Sequence, residues 1–278
     1  MDGPGPLLAG RVAVVTGGGG GIGAATARLF AAHGARVVVA DIDRALADGT
    51  VAAIAGDGGS AVAEVVDVRE ADQVAALRVA VLDRFGHVDV LVNNVGHWVR
   101  NVGEFTDGDP DLWEELRQVN FQHVLVCTWE FLPSMIERRS GNVINVSSVE
   151  GIRGYPVDPV YAAYKAAVVH FTRSLAVQVG RHGVRVNGIG PDVTESLQVP
   201  YGRWVPPEQE GLWPQWVPIG RMGVADDQAR VALFLASDLS GFVTGHTIPT
   251  DGGTGAAGGW FRSTSGSGRR WTNRPVDP

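Results

Sequence analysis

The feature that most constrains this chain is the alternation of two hydrophobic periods along its length. Short β-branched runs read as strands: Arg11–Thr16, Arg36–Ala40, Ala61–Val66, Val88–Val92, Asn142–Val146, Val184–Ile189 and His246–Pro249. Among them lie longer Ala- and Leu-rich segments of helical period: Ile22–His33, Arg44–Ala55, Glu70–Phe85, Asp111–Arg138, Pro159–Val179 and Asp226–Ala236. Parallel neighbours need crossover connections, and strands that are apolar throughout are covered on both faces. The expectation is an α/β fold, a doubly wound parallel sheet of about seven strands with helices on both faces, in one domain. A chain of 278 residues with 45% hydrophobic content can bury such a core. No repeat of fixed period and no linker rich in Gly, Pro or Ser divides it. Residues 198–217, "QVPYGRWVPPEQEGLWPQWV", break the rhythm, as does everything from Gly255 onward. The expected layout is a domain over 1–254, with a lid at 192–220, and a C-terminal extension over 255–278.

Charge and cysteine usage narrow the class. The formal net charge is −7 and the basic residues are scattered until the last few positions, so no nucleic-acid partner is expected. No apolar stretch is long enough to cross a bilayer, and the N-terminus does not read as a secretory signal. A single cysteine, Cys127, forbids an intramolecular disulfide and reads as buried filler. The seven histidines are dispersed without ligand spacing, so no metal is expected. These features together point to a cytoplasmic protein.

"TGGGGGIG", Thr16 to Gly23, follows the first strand and precedes the first helix. Glycine is costly to order, so a cluster there implies close approach of something to the backbone. In a doubly wound sheet this turn offers free N–H groups and the positive end of a helix dipole at the sheet's carboxyl edge, where a pyrophosphate can sit. Any glycine run satisfies G-x-G-x-x-G, so the pattern by itself says little. Asp41, ending the second strand, is better evidence: a carboxylate there accepts hydrogen bonds from an adenosine ribose and repels a ribose phosphate. The glycine loop holds no Lys or Arg, which favours NAD over NADP, with Arg44 as the counterweight. A helix-capping role at the start of "DIDR" is the other reading of Asp41.

In "YAAYK", Tyr161 and Lys165 sit four apart on a predicted helix, on one face. A phenol titrates too high for a general base at neutral pH, and an adjacent ammonium lowers that value. Proton transfer at an alcohol then becomes feasible. On an arbitrary helix the same pair is ordinary surface packing.

The conjunction of these segments resembles the short-chain dehydrogenase/reductase family, in its short single-domain NAD(P)-dependent branch, over about residues 8 to 254. "TGGGGGIG" looks like the family's TGxxxGIG loop, and "NNVG" (Asn93, Asn94, Val95, Gly96) like its NNAG turn. Asp67 in "VVDV" is similar to the acid that contacts adenine, and Asn120 in "QVNF" to the active-site asparagine. "NVINVSS" with "YAAYK" resembles the catalytic segment, Ser148 standing thirteen residues before Tyr161. "RVNGIGPD" and "TDGG" resemble the ends of the last two strands. The resemblance implies a Rossmann fold and oxidoreductase activity on a CH–OH group. Tyr161 is then the acid/base, Lys165 binds the nicotinamide ribose and lowers the tyrosine's pKa, Ser148 hydrogen-bonds the reacting oxygen, and Asn120 holds a relay water. Ser147 is the rival to Ser148. Implied cofactor contacts are Gly17, Gly20, Gly21, Ile22, Gly23, Asp41, Ile42, Asp67, Val68, Asn93, Asn94, Val95, Gly96, Tyr161, Lys165, Pro191, Asp192, Thr194 and Ser196.

The chain departs from the family at Asp192, where Pro-Gly is usual, at Tyr164 and at Val95. Lid aromatics Tyr201, Trp204, Trp213 and Trp216, with Trp98, suggest a hydrophobic alcohol or ketone, or else simply pack the lid or a subunit contact. Trp98, Glu150 and Trp204 are the candidate substrate contacts. The tail sets Arg262, Arg269, Arg270 and Arg274 among Trp260, Phe261 and Trp271; packing on a neighbouring subunit, disorder and an acidic or RNA surface are its readings. A homotetramer is implied by the family. Besides an NAD-dependent alcohol dehydrogenase, an NADPH-dependent ketoacyl-type reductase and a non-catalytic nucleotide sensor stay open.

Overall fold

The computed structural model describes residues 5–97, 105–196, 199–201, 205–259, 261–262 and 271–272. The elements run β1 (Val12–Thr16), α1 (Gly21–Ala32), β2 (Arg36–Asp41), α2 (Arg44–Gly56), β3 (Ser60–Val65), α3 (Ala71–Phe85), β4 (Val90–Asn93), α4 (Asp111–Arg117), α5 (His123–Glu137), β5 (Gly141–Val146), α6 (Pro159–Val179), β6 (Val184–Pro191), α7 (Trp213–Trp216), α8 (Ala225–Ala236) and β7 (Thr247–Thr250). The seven strands form one sheet in the order β3-β2-β1-β4-β5-β6-β7, and every pairing is parallel. The doubly wound expectation is met.

Strand alternation feeds two cores. Ala13, Val15, Val37 and Val39 pack with Ala27, Phe30, Ile54 and Leu235, so α1, α2 and α8 cover one face. Val12, Val14 and Val38 pack with Val74, Leu77, Phe131 and Leu175, so α3, α5 and α6 cover the other. Phe30 and Phe131 are fully buried, and truncating either to alanine costs about 3–5 kcal/mol through lost transfer energy and the cavity left behind. The strand order reverses between β1, which pairs Val14 with Val38 on one side, and β4, where Val14 faces Leu91. That reversal opens a crevice at the carboxyl ends of the strands.

The single helix expected over Asp111–Arg138 is corrected. It is interrupted by a π-helical turn, Gln118–Gln122, between α4 and α5. The cause is Asn120, whose side-chain Nδ2 donates to the carbonyl of Leu116 (3.1 Å) and to that of His97 (2.6 Å). A side chain competing for a helix carbonyl displaces the regular ladder. Beyond β7 come α9 (Thr254–Ala257) and two short antiparallel strands, β8 (Phe261–Arg262) and β9 (Trp271–Thr272). β8 lies beside α7 of the lid.

Candidate active site

The turn after β1 is built for close approach. Gly17 has φ +62°, and a Cβ there would stand 3.0 Å from Asn94 Nδ2. A Cβ on Gly23 would lie 2.0 Å from the Gly17 carbonyl oxygen, so α1 meets the loop in contact that only glycine permits. The α1 N-cap, Gly20, offers no side-chain cap, and the first turn holds no acidic residue. The leading amides and the dipole's positive end therefore face the cleft uncompensated, which suits an anion. Asn94 fixes the loop by donating from Nδ2 to the carbonyls of Thr16 (3.0 Å) and Gly17 (3.2 Å).

At the end of β2, Asp41 accepts from the Gly19 amide (2.8 Å) and the Asp43 amide (3.0 Å). The helix-capping role belongs to Asp43, which accepts from Ala45 and Leu46. Arg44 faces Asp48 one turn along its own exposed helix, at 3.9 Å. Asp67 is clasped by Arg69 through contacts of 2.6, 2.9 and 3.1 Å. Those side-chain hydrogen bonds hold the Asp67 carboxyl below the usual carboxylate range.

Opposite, Asp158 caps α6 by accepting from Val160 (3.1 Å) and Tyr161 (3.0 Å), with Pro159 preset for the first turn. This fixes the phase of α6, and Tyr161 and Lys165 share a face. Lys165 is 3% exposed; its Nζ donates to the Val146 carbonyl at 3.3 Å and stands 5.7 Å from the Tyr161 ring centroid. Burial pushes the Lys165 amine down to about 8. Burial likewise drives the Tyr161 hydroxyl well above its ordinary value, opposed by a hydrogen bond with Ser148 and reinforced by Glu150. In the protein alone burial thus sets the direction for this phenol, upward rather than downward.

The two serines separate cleanly. Ser147 Oγ donates to the Lys165 carbonyl at 2.8 Å, a bond internal to the packing of β5 on α6. Ser148 Oγ accepts from Glu150 N (3.1 Å), lies 3.4 Å from the Pro191 carbonyl and faces Tyr161. Ser148 thus caps the turn Val149–Gly151 and also presents its hydroxyl to the phenol.

These groups line one cleft of about 660 Å³. From the glycine loop come Gly17, Gly20, Gly21 and Ile22; from the β2 and β3 ends Asp41, Ile42, Asp67 and Val68; from the turn after β4 Asn94, Val95 and Gly96. The turn after β5 and the start of α6 supply Ser148, Glu150, Tyr161 and Lys165, and the β6 end Pro191, Asp192, Thr194 and Ser196. Three expected contacts stand behind the wall instead. Gly23 serves helix-to-loop packing. Asn93 is fully buried and donates to Thr128 Oγ1 (3.1 Å) and Asn145 Oδ1 (2.9 Å), bridging β4 to β5 and α5. Asn120 is equally buried, its Oδ1 accepting from the His97 amide at 3.1 Å. Asn120 nevertheless lies near Lys165, because a Cβ on Gly96 would meet both Lys165 Nζ (2.7 Å) and Asn120 Oδ1 (3.3 Å). Trp98 and Trp204 lie outside the described residues.

Sequence reasoning missed Arg69, His97 and Tyr155, all in the cleft wall. Tyr155, 6.3 Å from Tyr161 between ring centroids, had the signal of lying between Ser148 and Tyr161. The lid tryptophans pack as a cluster: Trp213 stands 5.4 Å from Trp216 and 5.9 Å from Tyr201. Of these three aromatics only Tyr201 reaches the cleft. The lid's base is pinned where the Gly223 amide donates to Val193 O (2.9 Å) and the Glu195 amide to Gly223 O (3.0 Å). Cys127 is buried, its thiol pushed up to about 12, and is no nucleophile. Among the described residues no cluster of metal-ligating side chains occurs, and no helix is long and apolar enough to cross a membrane.

Known proteins resemble this chain in sequence and fold. A family model described as enoyl-(acyl carrier protein) reductase matches residues 17–255. The 3-oxoacyl-(acyl-carrier-protein) reductase FabG of Thermotoga maritima is 36% identical over 246 residues, covering 88% of this chain and 98% of that protein. The 2-(S)-hydroxypropyl-CoM dehydrogenase 3 of Xanthobacter autotrophicus is 34% identical over 249 residues, covering 88% and 97%. The crystal structure of levodione reductase superposes with a TM-score of 0.84 at 33% identity, covering 90% of this chain and 99% of that one.

Proposed function

The chain belongs to the short-chain dehydrogenase/reductase family of oxidoreductases, and from that premise we propose that it transfers a hydride between NAD(H) and a secondary alcohol or ketone with an apolar body. The observation that carries the proposal is the convergence of Ser148, Tyr161 and Lys165 in the same cleft as the uncapped α1 N-terminus and Asp41. The residues fit a nicotinamide dinucleotide: the cradle at Gly17 admits no side chain, the α1 amides await an anion, and Asp41 stands at the level of a ribose. When bound, the nicotinamide supplies the hydride acceptor or donor.

The protein's own part is positioning and proton handling. In the reducing direction Tyr161 gives its proton to the substrate oxygen while Ser148 hydrogen-bonds that oxygen, and the reverse holds for oxidation. A phenol kept neutral by burial suits the donor role. Lys165, buried and with one backbone acceptor in Val146, is placed to hold the cofactor's ribose and, as an ammonium, to return a proton toward Tyr161 once the phenol has given its own to the substrate, with Asn120 bounding the relay across Gly96. Tyr155 and Tyr201 offer ring surface for the substrate body.

Asp41 supports NAD over NADP: its carboxylate already holds the Gly19 amide, and the nearby guanidiniums are occupied, Arg44 by Asp48 and Arg69 by Asp67. Similarity to the Thermotoga maritima FabG keeps a second reading in view, a 3-oxoacyl thioester reductase using NADPH. A homotetramer in the cytoplasm belongs to the leading proposal, and Trp129 on α5 and Val177 on α6, 76% and 86% exposed, suit a contact between copies. The test is a panel of secondary alcohols offered with NAD or NADP, read by reduced-cofactor absorbance. Turnover with NAD on apolar secondary alcohols is expected, together with NADH binding at least tenfold tighter than NADPH. Turnover confined to 3-oxoacyl thioesters with NADPH replaces the first reading with the second, and no turnover with either cofactor refutes both.

A further inference from the structure

The substrate end of the cleft carries a charge arrangement that hydride transfer does not require. Glu150 meets Arg153 twice, with Nε–Oε2 at 3.2 Å and Nη2–Oε1 at 2.9 Å. The same Nη2 reaches Asp192 Oδ2 at 3.0 Å. Thr254 donates its hydroxyl to that Oδ2, and the Val193 amide donates to Oδ1 at 2.9 Å. One guanidinium therefore serves two carboxylates, and a net negative charge is left over. The Glu150 and Asp192 side chains are 11% and 9% exposed, against 39% for Arg153. Both carboxylates line the cleft, whereas Arg153 supports them from outside it.

Among the described residues, no unpaired cation on the facing wall cancels this charge. The described cations of the lining are Lys165, buried beside the Tyr161 ring, and Arg69, clasped by Asp67 near the β3 end. Beside the carboxylates stand Tyr155 and Tyr201, whose hydroxyls are pushed up by burial, with Glu150 and Asp192 adding to the shift at both. Carboxylates flanked by aromatic rings attract an ammonium group by Coulomb and cation–π terms, and they repel an anion. A carboxylate where the sequence pattern has glycine is thus explained by its company: Arg153 and Thr254 hold Asp192 in place at the end of β6.

We propose that Glu150 and Asp192 form a charge filter at the substrate end, selecting alcohols or ketones that carry an ammonium group near the reacting carbon, tolerating neutral ones and rejecting carboxylates. Arg153 is the positioning residue that keeps the two like charges together. The proposal names the substrate class of the hydride-transfer site and rests on that reading. A net charge within about 5 Å, at the effective dielectric of a protein surface, changes affinity by an order of magnitude or more. Specificity of this kind works by repulsion of the wrong ligand as much as by attraction of the right one.

The test is calorimetric titration of the full cofactor-free chain with three ligands of one shape: cyclohexylmethylammonium, cyclohexylmethanol and cyclohexanecarboxylate. The expected order is ammonium, then alcohol, then carboxylate, with the ends of the series at least tenfold apart. Glu150→Gln and Asp192→Asn should each shrink that ratio at least threefold, and Arg153→Gln should widen it. Added salt should narrow it in the unmodified chain. Equal affinities, a preference for the carboxylate, no binding by any of the three, or a ratio unmoved in both Glu150→Gln and Asp192→Asn overturns the filter. NADH binding and alcohol oxidation are measured on the same preparation, so failure of the hydride-transfer reading registers separately from failure of the filter.

Discussion

Replacing Gly23 by alanine probes the join between the cofactor loop and α1. The added Cβ would lie 2.0 Å from the Gly17 carbonyl oxygen and 2.7 Å from Asn94 Nδ2, where ordinary contact begins at 3.4 Å. The first neighbour is backbone, so no rotamer change relieves the clash, and the loop must yield by more than an ångström. That movement pulls Gly17 O away from Asn94 Nδ2, a bond of 3.2 Å tying the β1 turn to the β4 turn. Overpacking costs about 1–3 kcal/mol and the lost hydrogen bond about 1 kcal/mol more. At about 2 °C per kcal/mol for a domain of this size, Tm should fall by about 4–8 °C. The assay is thermal unfolding by circular dichroism without cofactor, with NADH binding by fluorescence on the same sample, expected to weaken at least tenfold. Gly49→Ala is the control: Gly49 lies within α2 and a Cβ there meets nothing within 4 Å, so the change should stabilise by about 0.5–1 kcal/mol. A Gly23→Ala protein melting within a degree of the unmodified chain and binding NADH normally would refute the steric reasoning.

Lys165→Met should abolish turnover yet stabilise the cofactor-free protein at neutral pH. Burial lowers the amine from 10.5 to about 8, so below pH 8 the buried ammonium costs on the order of 3 kcal/mol. The unfolded chain holds more protons between those two values, so the unmodified protein gains stability as pH rises through that window, and the advantage of Lys165→Met, followed by urea unfolding, should shrink over the same range. A constant advantage across it would contradict the assignment. Ser148→Ala should lower kcat by about 10²-fold, within the range for loss of one oxyanion-type donor, whereas Ser147→Ala should cost about 1 kcal/mol of stability through its lost bond to the Lys165 carbonyl; steady-state kinetics and melting curves on both variants decide between the serines.

The repeating architecture was legible because parallel strands buried on both faces leave a period in the sequence that local reading detects. The glycine turn was legible for a different reason: ordering so many glycines is costly, and Gly17 takes a positive φ that other residues rarely adopt. The π-helical turn was hidden, since it arises when Asn120 reaches a carbonyl on the distant His97 loop. Asn93 shows the limit of motif transfer: it sits within the expected turn, but its side chain spans the sheet to Asn145 and Thr128. The pairing of Arg153 with Asp192, thirty-nine positions apart, required tertiary placement that no spacing rule supplies. The lid tryptophans carried the composition of a ligand pocket, yet Trp213 and Trp216 satisfy one another. Aromatic content alone does not distinguish the two uses.

Tyr161→Phe removes one oxygen and leaves the ring between Tyr155 and Lys165 in place. It is measured by NADH affinity alongside alcohol oxidation with NAD. Proton transfer by this hydroxyl predicts NADH affinity within about threefold of the unmodified chain and turnover reduced by 10²-fold or more, the usual contribution of a general acid or base. Turnover within tenfold of the unmodified chain, with NADH bound normally, would contradict the central claim.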